Sequence, residues 1–164
     1  MPEPPCNGNK KADPGGNGSV TLYSTPNSTA SATCYTWLTI SGSTVTLTAG
    51  SYVVDATTWN SGSRLVIDDS KGPVYLWIRK TAYGFNIDSP VTVASGNPNN
   101  FWLIYDGTSA VTHNSANDPF TGVIFVPMVA PFIINFTITG AVIGGEVHLN
   151  GGGKVTYDSR LCAQ

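Results

Sequence analysis

Short apolar runs recur along the chain from Ser19 onward, and small polar residues, glycine or proline separate them. Val20-Thr21-Leu22-Tyr23 comes first and Tyr35 to Ile40 second. Thr44-Val45-Thr46-Leu47-Thr48 alternates strictly, which predicts a strand with Val45 and Leu47 inward and three threonines outward. Tyr52-Val53-Val54, Arg64 to Ile67, Val74 to Ile78, Val91-Thr92-Val93 and Phe101 to Tyr105 follow. Ala49-Gly50, Ser61-Gly62, Lys71-Gly72-Pro73 and Gly96-Asn97-Pro98 supply turn chemistry between them. No segment keeps a capped 3.6-residue period, and at most one short helix is expected, near Ser28 to Thr33.

The most apolar stretch, Pro119 to Gly145, carries no charge and is long enough to cross a bilayer. Its content argues against a span. Pro127, Pro131, Asn135, Gly140 and Gly144-Gly145 break it, and its apolar residues are largely the strand formers Val, Ile and Phe. No Lys or Arg lies close enough to set an orientation, the nearest being Lys80 and Lys154. It reads as buried strands: Val123 to Val126, Phe132 to Ile134, Phe136 to Ile138, Ala141 to Ile143 and Val147 to Leu149. Thr121-Gly122-Val123-Ile124 returns as Thr139-Gly140-Ala141-Val142, 18 residues on, a spacing suited to stacked coils. The expected fold is therefore all-β, a short β-solenoid over residues 19–164. A β-sandwich is the alternative, which calls for more regular alternation and tighter hairpins. Residues 1–18, rich in Pro, Gly, Asn and Lys, are expected to form a disordered or surface-lying arm or linker.

Composition narrows the function. Only 11% of the residues are charged, against about 25% in an average domain. The net charge of −2, with only Lys10-Lys11 and Arg79-Lys80 as basic pairs, gives nucleic acid no electrostatic footing. The cysteines Cys6, Cys34 and Cys162 are too widely spaced for a zinc motif; one disulfide and one free thiol are expected, with all three pairings open. A disulfide implies an oxidising compartment. Asn17, Asn27 and Asn135 begin glycosylation sequons. The sequence begins Met1-Pro2-Glu3-Pro4-Pro5 and carries no signal peptide, so it is expected to be an excised domain whose signal or anchor lies upstream.

Five segments in order carry a resemblance: "VTLTAGSYVVD" (Val45 to Asp55), "GPVYLWI" (Gly72 to Ile78), "FWLIYDG" (Phe101 to Gly107), "FTGVIFVP" (Phe120 to Pro127) and "ITGAVIGGEVHLNGGGKVTYD" (Ile138 to Asp158). Together they resemble the C-terminal β-solenoid domain of PilX-like, type IV pilus-associated proteins and of related choice-of-anchor bacterial surface proteins. Val126-Pro127 stands where that group has Ala-Pro, and the group's pilin-like N-terminal helix has no counterpart here. The resemblance implies an exported bacterial surface module, adhesive or structural, with no catalytic residues to carry over. The cadence is also distantly similar to that of ice-binding solenoids.

Candidate chemistry is sparse. Asp106, His113 and Asp118 share one loop and form the best catalytic cluster, yet that loop is built of ordinary turn residues, and no catalytic residue is assigned. Asp106, Asn114, Asn117 and Asp118 offer hard oxygen donors, making calcium the one cofactor considered. Adjacent Asp68 and Asp69 are expected to end a strand, and Asp158 to accept backbone N–H groups where the last coil closes. His148 is expected outward, with Val147 and Leu149 packed inside. Trp59 and Tyr83, in turn-like contexts, are candidate platforms for sugars or protein partners. An ice-binding face needs threonine ranks repeated on neighbouring coils, and beyond Thr44, Thr46, Thr48, Thr137 and Thr139 no such repeat is evident. The expected function is thus a non-catalytic extracellular module, adhesive or structural, contacting other protein subunits or surface glycans and open to self-association. An ice- or glycan-binding solenoid is the second reading and a β-helix polysaccharide lyase or hydrolase the third.

Overall fold

The computed structural model describes residues 4–12, 19–24, 32–60, 62–79, 85–114, 119–128 and 131–162. The chain is a β-solenoid of about six turns in which every strand pairing is parallel. Three faces line it. The first carries β2 (Ser19–Leu22), β4 (Thr44–Thr48), β7 (Arg64–Asp68), β10 (Val91–Val93), the leading halves of β13 (Phe120–Val126) and β15 (Thr137–Gly144), and β17 (Lys154–Thr156). The second carries β1 (Cys6–Ala12), β3 (Ala32–Ile40), β5 (Gly50–Val54), β8 (Val74–Ile78), β11 (Phe101–Tyr105) and the trailing halves of β13 and β15. On the third, the end of β3 meets β6 (Thr57–Trp59), followed by β9 (Phe85–Ile87), β12 (Val111–His113), β14 (Phe132–Ile134) and β16 (Val147–Leu149). Among the described residues there are also two 3₁₀ turns, η1 (Pro98–Asn100) and η2 (Ser159–Cys162).

This geometry explains the short apolar runs. Each coil offers a few inward residues, and stacking joins them into one core: Val45, Leu65, Val91, Phe120 and Ile138 from the first face, Leu76, Leu103 and Ile124 from the second, Val111, Phe132 and Ile134 from the third. The strict alternation of β4 holds, with Val45 and Leu47 fully buried. The second face is apolar on its outer side as well. Cys34, Val53, Trp77 and Ile104 lie in one register and form a second buried cluster. Strands such as Val74–Ile78 therefore read as unbroken apolar runs.

The Thr-Gly echo is one full coil: Thr121 pairs with Thr139 and Gly122 with Gly140. Both glycines turn the corner between the first and second faces, at φ of 147° and 139°, where a side chain is rarely tolerated. A Cβ on Gly140 would lie 2.0 Å from the Gly122 carbonyl oxygen, so glycine is also what lets the coils approach here.

One expectation is corrected. Part of the N-terminal segment read as an arm is strand β1, hydrogen-bonded in parallel to β3. A sequence whose only apolar residues are Cys6 and Ala12 can add to a sheet edge because the backbone supplies the ladder. The charge-free stretch from Pro119 is made of strands β13 to β15, and among the described residues no helix is long and apolar enough to cross a membrane. The helix expected near Ser28 to Thr33 lies largely outside the described residues, and Ala32 and Thr33 are in strand β3.

Candidate functional surfaces

Of the predicted loop cluster, Asp106 and His113 are among the described residues. His113 ends β12 and points into the core, fully buried, its ring edge-on to Phe120 and Phe136 at 6.3 Å. Neither ring nitrogen has a hydrogen-bond partner, and burial pulls its pKa down to about 4, so the imidazole is neutral at pH 7. Asp106 is exposed at the opposite end of this third-face segment, just after β11. Asn114 follows His113, and its Oδ1 accepts from Asn135 Nδ2 at 2.6 Å. Asn117 and Asp118 lie outside the described residues, among which no group of three His, Cys, Asp or Glu side chains is placed to hold a metal.

Trp59 is no contact platform. It is 2% exposed, on the inner side of β6, with Nε1 donating to Thr57 Oγ1. The turn residues after it had suggested a loop, but Trp59 is the last inward residue of a strand. Tyr83 lies outside the described residues. Asp68 and Asp69 do close β7 and diverge. Burial works to raise the pKa of Asp69, but hydrogen bonds from Ser95 and Asn100 outweigh it and hold the carboxylate ionised. Asp158 Oδ1 accepts the backbone N–H of Arg160 at 3.0 Å, the expected closing contact. Cys162 is exposed and free, while Cys34 is buried in the second cluster.

A corner motif escaped the sequence reading. Each third-face strand from β6 onward ends in Asn or Asp: Trp59-Asn60, Ile87-Asp88, His113-Asn114, Ile134-Asn135 and Leu149-Asn150. The backbone N–H groups of Asn60, Asn114, Asn135 and Asn150 donate to carbonyls one coil back, at 2.8–3.1 Å. Asn60 Nδ2 reaches Ser41 Oγ at 3.1 Å, so side chains as well as backbone link the stacked corners. The sequon at Asn135 is committed to this ladder. The signal was a recurring tetrad with Asn or Asp in fourth place, apolar-x-apolar before it in three of the five, and it was hidden by uneven coil lengths.

The threonine pattern does repeat, contrary to the sequence reading. Thr21, Thr46 and Val66 lie in one register with Thr92. Val91 pairs with Phe120, which carries the row on through Thr92 and Thr121 to Thr139 and Thr156. An outward hydroxyl thus stands on every coil of the first face but one, at the roughly 4.8 Å strand spacing. Sequence intervals of 17 to 29 residues between these paired positions concealed the row. Beside its N-terminal end, Tyr23, Thr48, Asp68, Ser70 and Lys71 line a cavity of about 260 Å³, with the Tyr23 ring 71% exposed.

The C-terminal end of the solenoid is open. Val147 and Leu149 stand in register with the buried Phe132 and Ile134, so they hold inward positions as expected, yet they are 37% and 58% exposed because no further coil covers them. Ile143 and Tyr157 are exposed there too. Among the described residues, β16 has a partner on one side only, and the trailing half of β15 is unpaired on its outer edge. The final turn does not cap this end. Arg160 grips Asp158 and donates to the Gly96 carbonyl at 2.7 Å, folding η2 back along the side of the coils toward η1.

No curated protein and no solved structure matches the chain. Residues 80–163, just over half of the sequence and spanning the C-terminal coils, the corner ladder from Asp88 onward and the open end, match the family described as a domain of unknown function, DUF7305. The chain belongs to that family.

Proposed function

We propose that this chain is a non-catalytic module of an extracellular bacterial surface protein, with an assembly or adhesive role like that implied by its resemblance to PilX-like and choice-of-anchor solenoid domains. The open last coil carries this reading. Val147, Leu149 and Ile143 each leave apolar surface in water whose complete burial is worth about 1.5–3 kcal/mol per side chain, beside unpaired strand edges. The Cys6–Cys34 disulfide belongs to the same proposal. Cys162 is free, and β1 runs beside β3 with Cys6 opposite Ala32, two residues from Cys34. Such a bond would tie the first strand to the stack in an oxidising compartment.

The test is light scattering on purified protein across concentration, comparing wild type with Leu149→Lys. The wild type is expected to exceed monomer mass increasingly with concentration, and the variant to stay monomeric because a charge on the last coil opposes burial. A strictly monomeric wild type at every concentration overturns the assembly role.

A second reading, binding of ice or an ordered glycan, is favoured by the threonine row on the first face and by the cavity under Tyr23, where an aromatic ring sits beside Asp68 and Lys71. Thr92→Lys, central in that row, would abolish ice shaping or glycan capture without altering self-association. No ice shaping and no glycan capture by the wild type removes this reading.

A further inference from the structure

The two ends of the solenoid are complementary halves of one coil. At the N-terminal end, β1 supplies the second and third faces of a coil that has no first-face strand among the described residues, since β2 already belongs to the next coil with β3. At the C-terminal end the reverse holds: β17 supplies a first-face strand, and among the described residues no strand follows it on the second or third face. We propose that a second copy of this chain stacks head-to-tail on the open end, so that β17 of one copy and β1 of the next close a shared coil. This rests on the assembly reading above and names its partner and surface.

The registers support the fit. Along the second face Lys10 pairs with Tyr35, and that row runs through Val54, Ile78 and Tyr105 toward Val126 and Gly144. Lys11 and Ala12 pair with Trp37 and Leu38, two and three residues past Tyr35. On the last coil, two and three residues past Gly144 are Glu146 and Val147. An incoming β1 that keeps its native register therefore lays Ala12 opposite Val147 and Lys11 opposite Glu146. The carboxylate of Glu146 is half exposed, with His148 as its neighbour at 2.7 Å, so a cationic and an anionic position meet on adjacent strands. Meanwhile β2 of the incoming copy comes to lie beside β17, with Val20 continuing the inward row of Ile138 and Val155, and Thr21 continuing the outward row of Thr139 and Thr156. The C-terminal turn is out of the way, tied back to Gly96 by Arg160. The contact uses different surfaces on the two copies and does not close on itself, so it propagates into a filament.

The test is a pair of engineered cysteines, Thr21→Cys with Thr156→Cys, in the chain of residues 1–164 that also carries Cys162→Ser to remove the free thiol. Within one chain these positions are six strand spacings apart, roughly 30 Å, far beyond a disulfide's reach. Between stacked copies they are neighbours. Oxidation is expected to give a ladder of dimers, trimers and longer species on a non-reducing gel, while each single variant stops at dimers. A double variant with the wild-type circular dichroism spectrum that yields nothing beyond dimers overturns the head-to-tail contact. If the wild type still self-associates by light scattering in that case, the assembly role stands and another surface carries it. If it is monomeric as well, both fall.

Discussion

At the scale of single residues, His113 is the side chain whose chemistry is most changed by the fold. In sequence it sits among Asp, Asn and Ser and resembles an accessible base; in the structure it occupies an inward position between two phenylalanine rings. Burial lowers its pKa from 6.5 to about 4. The unfolded chain takes up the proton near pH 6.5 and the folded chain only near pH 4, so between these values the unfolded state binds more protons. Stability is therefore highest, with respect to this group, above pH 6.5 and falls as pH drops toward 4, by roughly 3 kcal/mol in all. His113→Leu is expected to flatten that dependence and to raise stability at pH 7 by about 1–3 kcal/mol, because two unsatisfied nitrogens leave the core. Urea unfolding at pH 7 and at pH 4.5 measures both effects; an unchanged pH slope in the variant refutes the assignment. Asp69 acts in a lower window: its pKa is depressed, so its contribution holds above the ordinary carboxylate value and is lost only as pH falls below it.

At the scale of elements, the corners carry as much information as the strands. β13 and β15 pass from the first to the second face without interruption because Gly122 and Gly140 accept a backbone conformation that other residues rarely adopt. Gly140→Ala would drive a Cβ into the Gly122 carbonyl, and is expected to cost at least about 2 kcal/mol. Gly151 has a φ of 57° but open space around it, so Gly151→Ala is expected to cost only the backbone strain, about 1–2 kcal/mol. Thermal unfolding of the two variants separates crowding from strain, and equal losses would show that the close approach at Gly140 contributes nothing. The Asn/Asp corner does comparable work between the third and first faces. There, backbone donors that would otherwise be orphaned at each turn reach the carbonyl of the coil behind.

At the scale of the whole molecule, stability should fall toward the C-terminal end. The middle coils bury both sides of β8 and β11, whereas β16 is exposed along its whole length and paired on one edge. Quasi-one-dimensional stacks open from such ends. Amide hydrogen exchange under conditions that keep the protein monomeric is expected to release β16 and β17 first and β8 and β11 last; uniform protection would show a single cooperative unit. Assembly onto the open end would then protect β16 and the trailing half of β15 selectively.

Much of this was present in the linear pattern. The alternation of Thr44 to Thr48 and the Thr-Gly echo 18 residues apart depend only on neighbours along the chain or on one coil of constant length, and they led directly to stacked parallel strands. The chemistry of the closing Asp158 was also local. What the sequence could not reveal were relations set by coils of unequal length. The threonine row, the corner asparagines and the opposed half-coils at the two ends all join residues whose separation differs from turn to turn, so no period exposes them. Trp59 and His113 were misplaced for a related reason. Their sequence neighbours are turn residues, but an inward or outward direction is decided by where the strand meets its partner, and only the stacked structure supplies that partner.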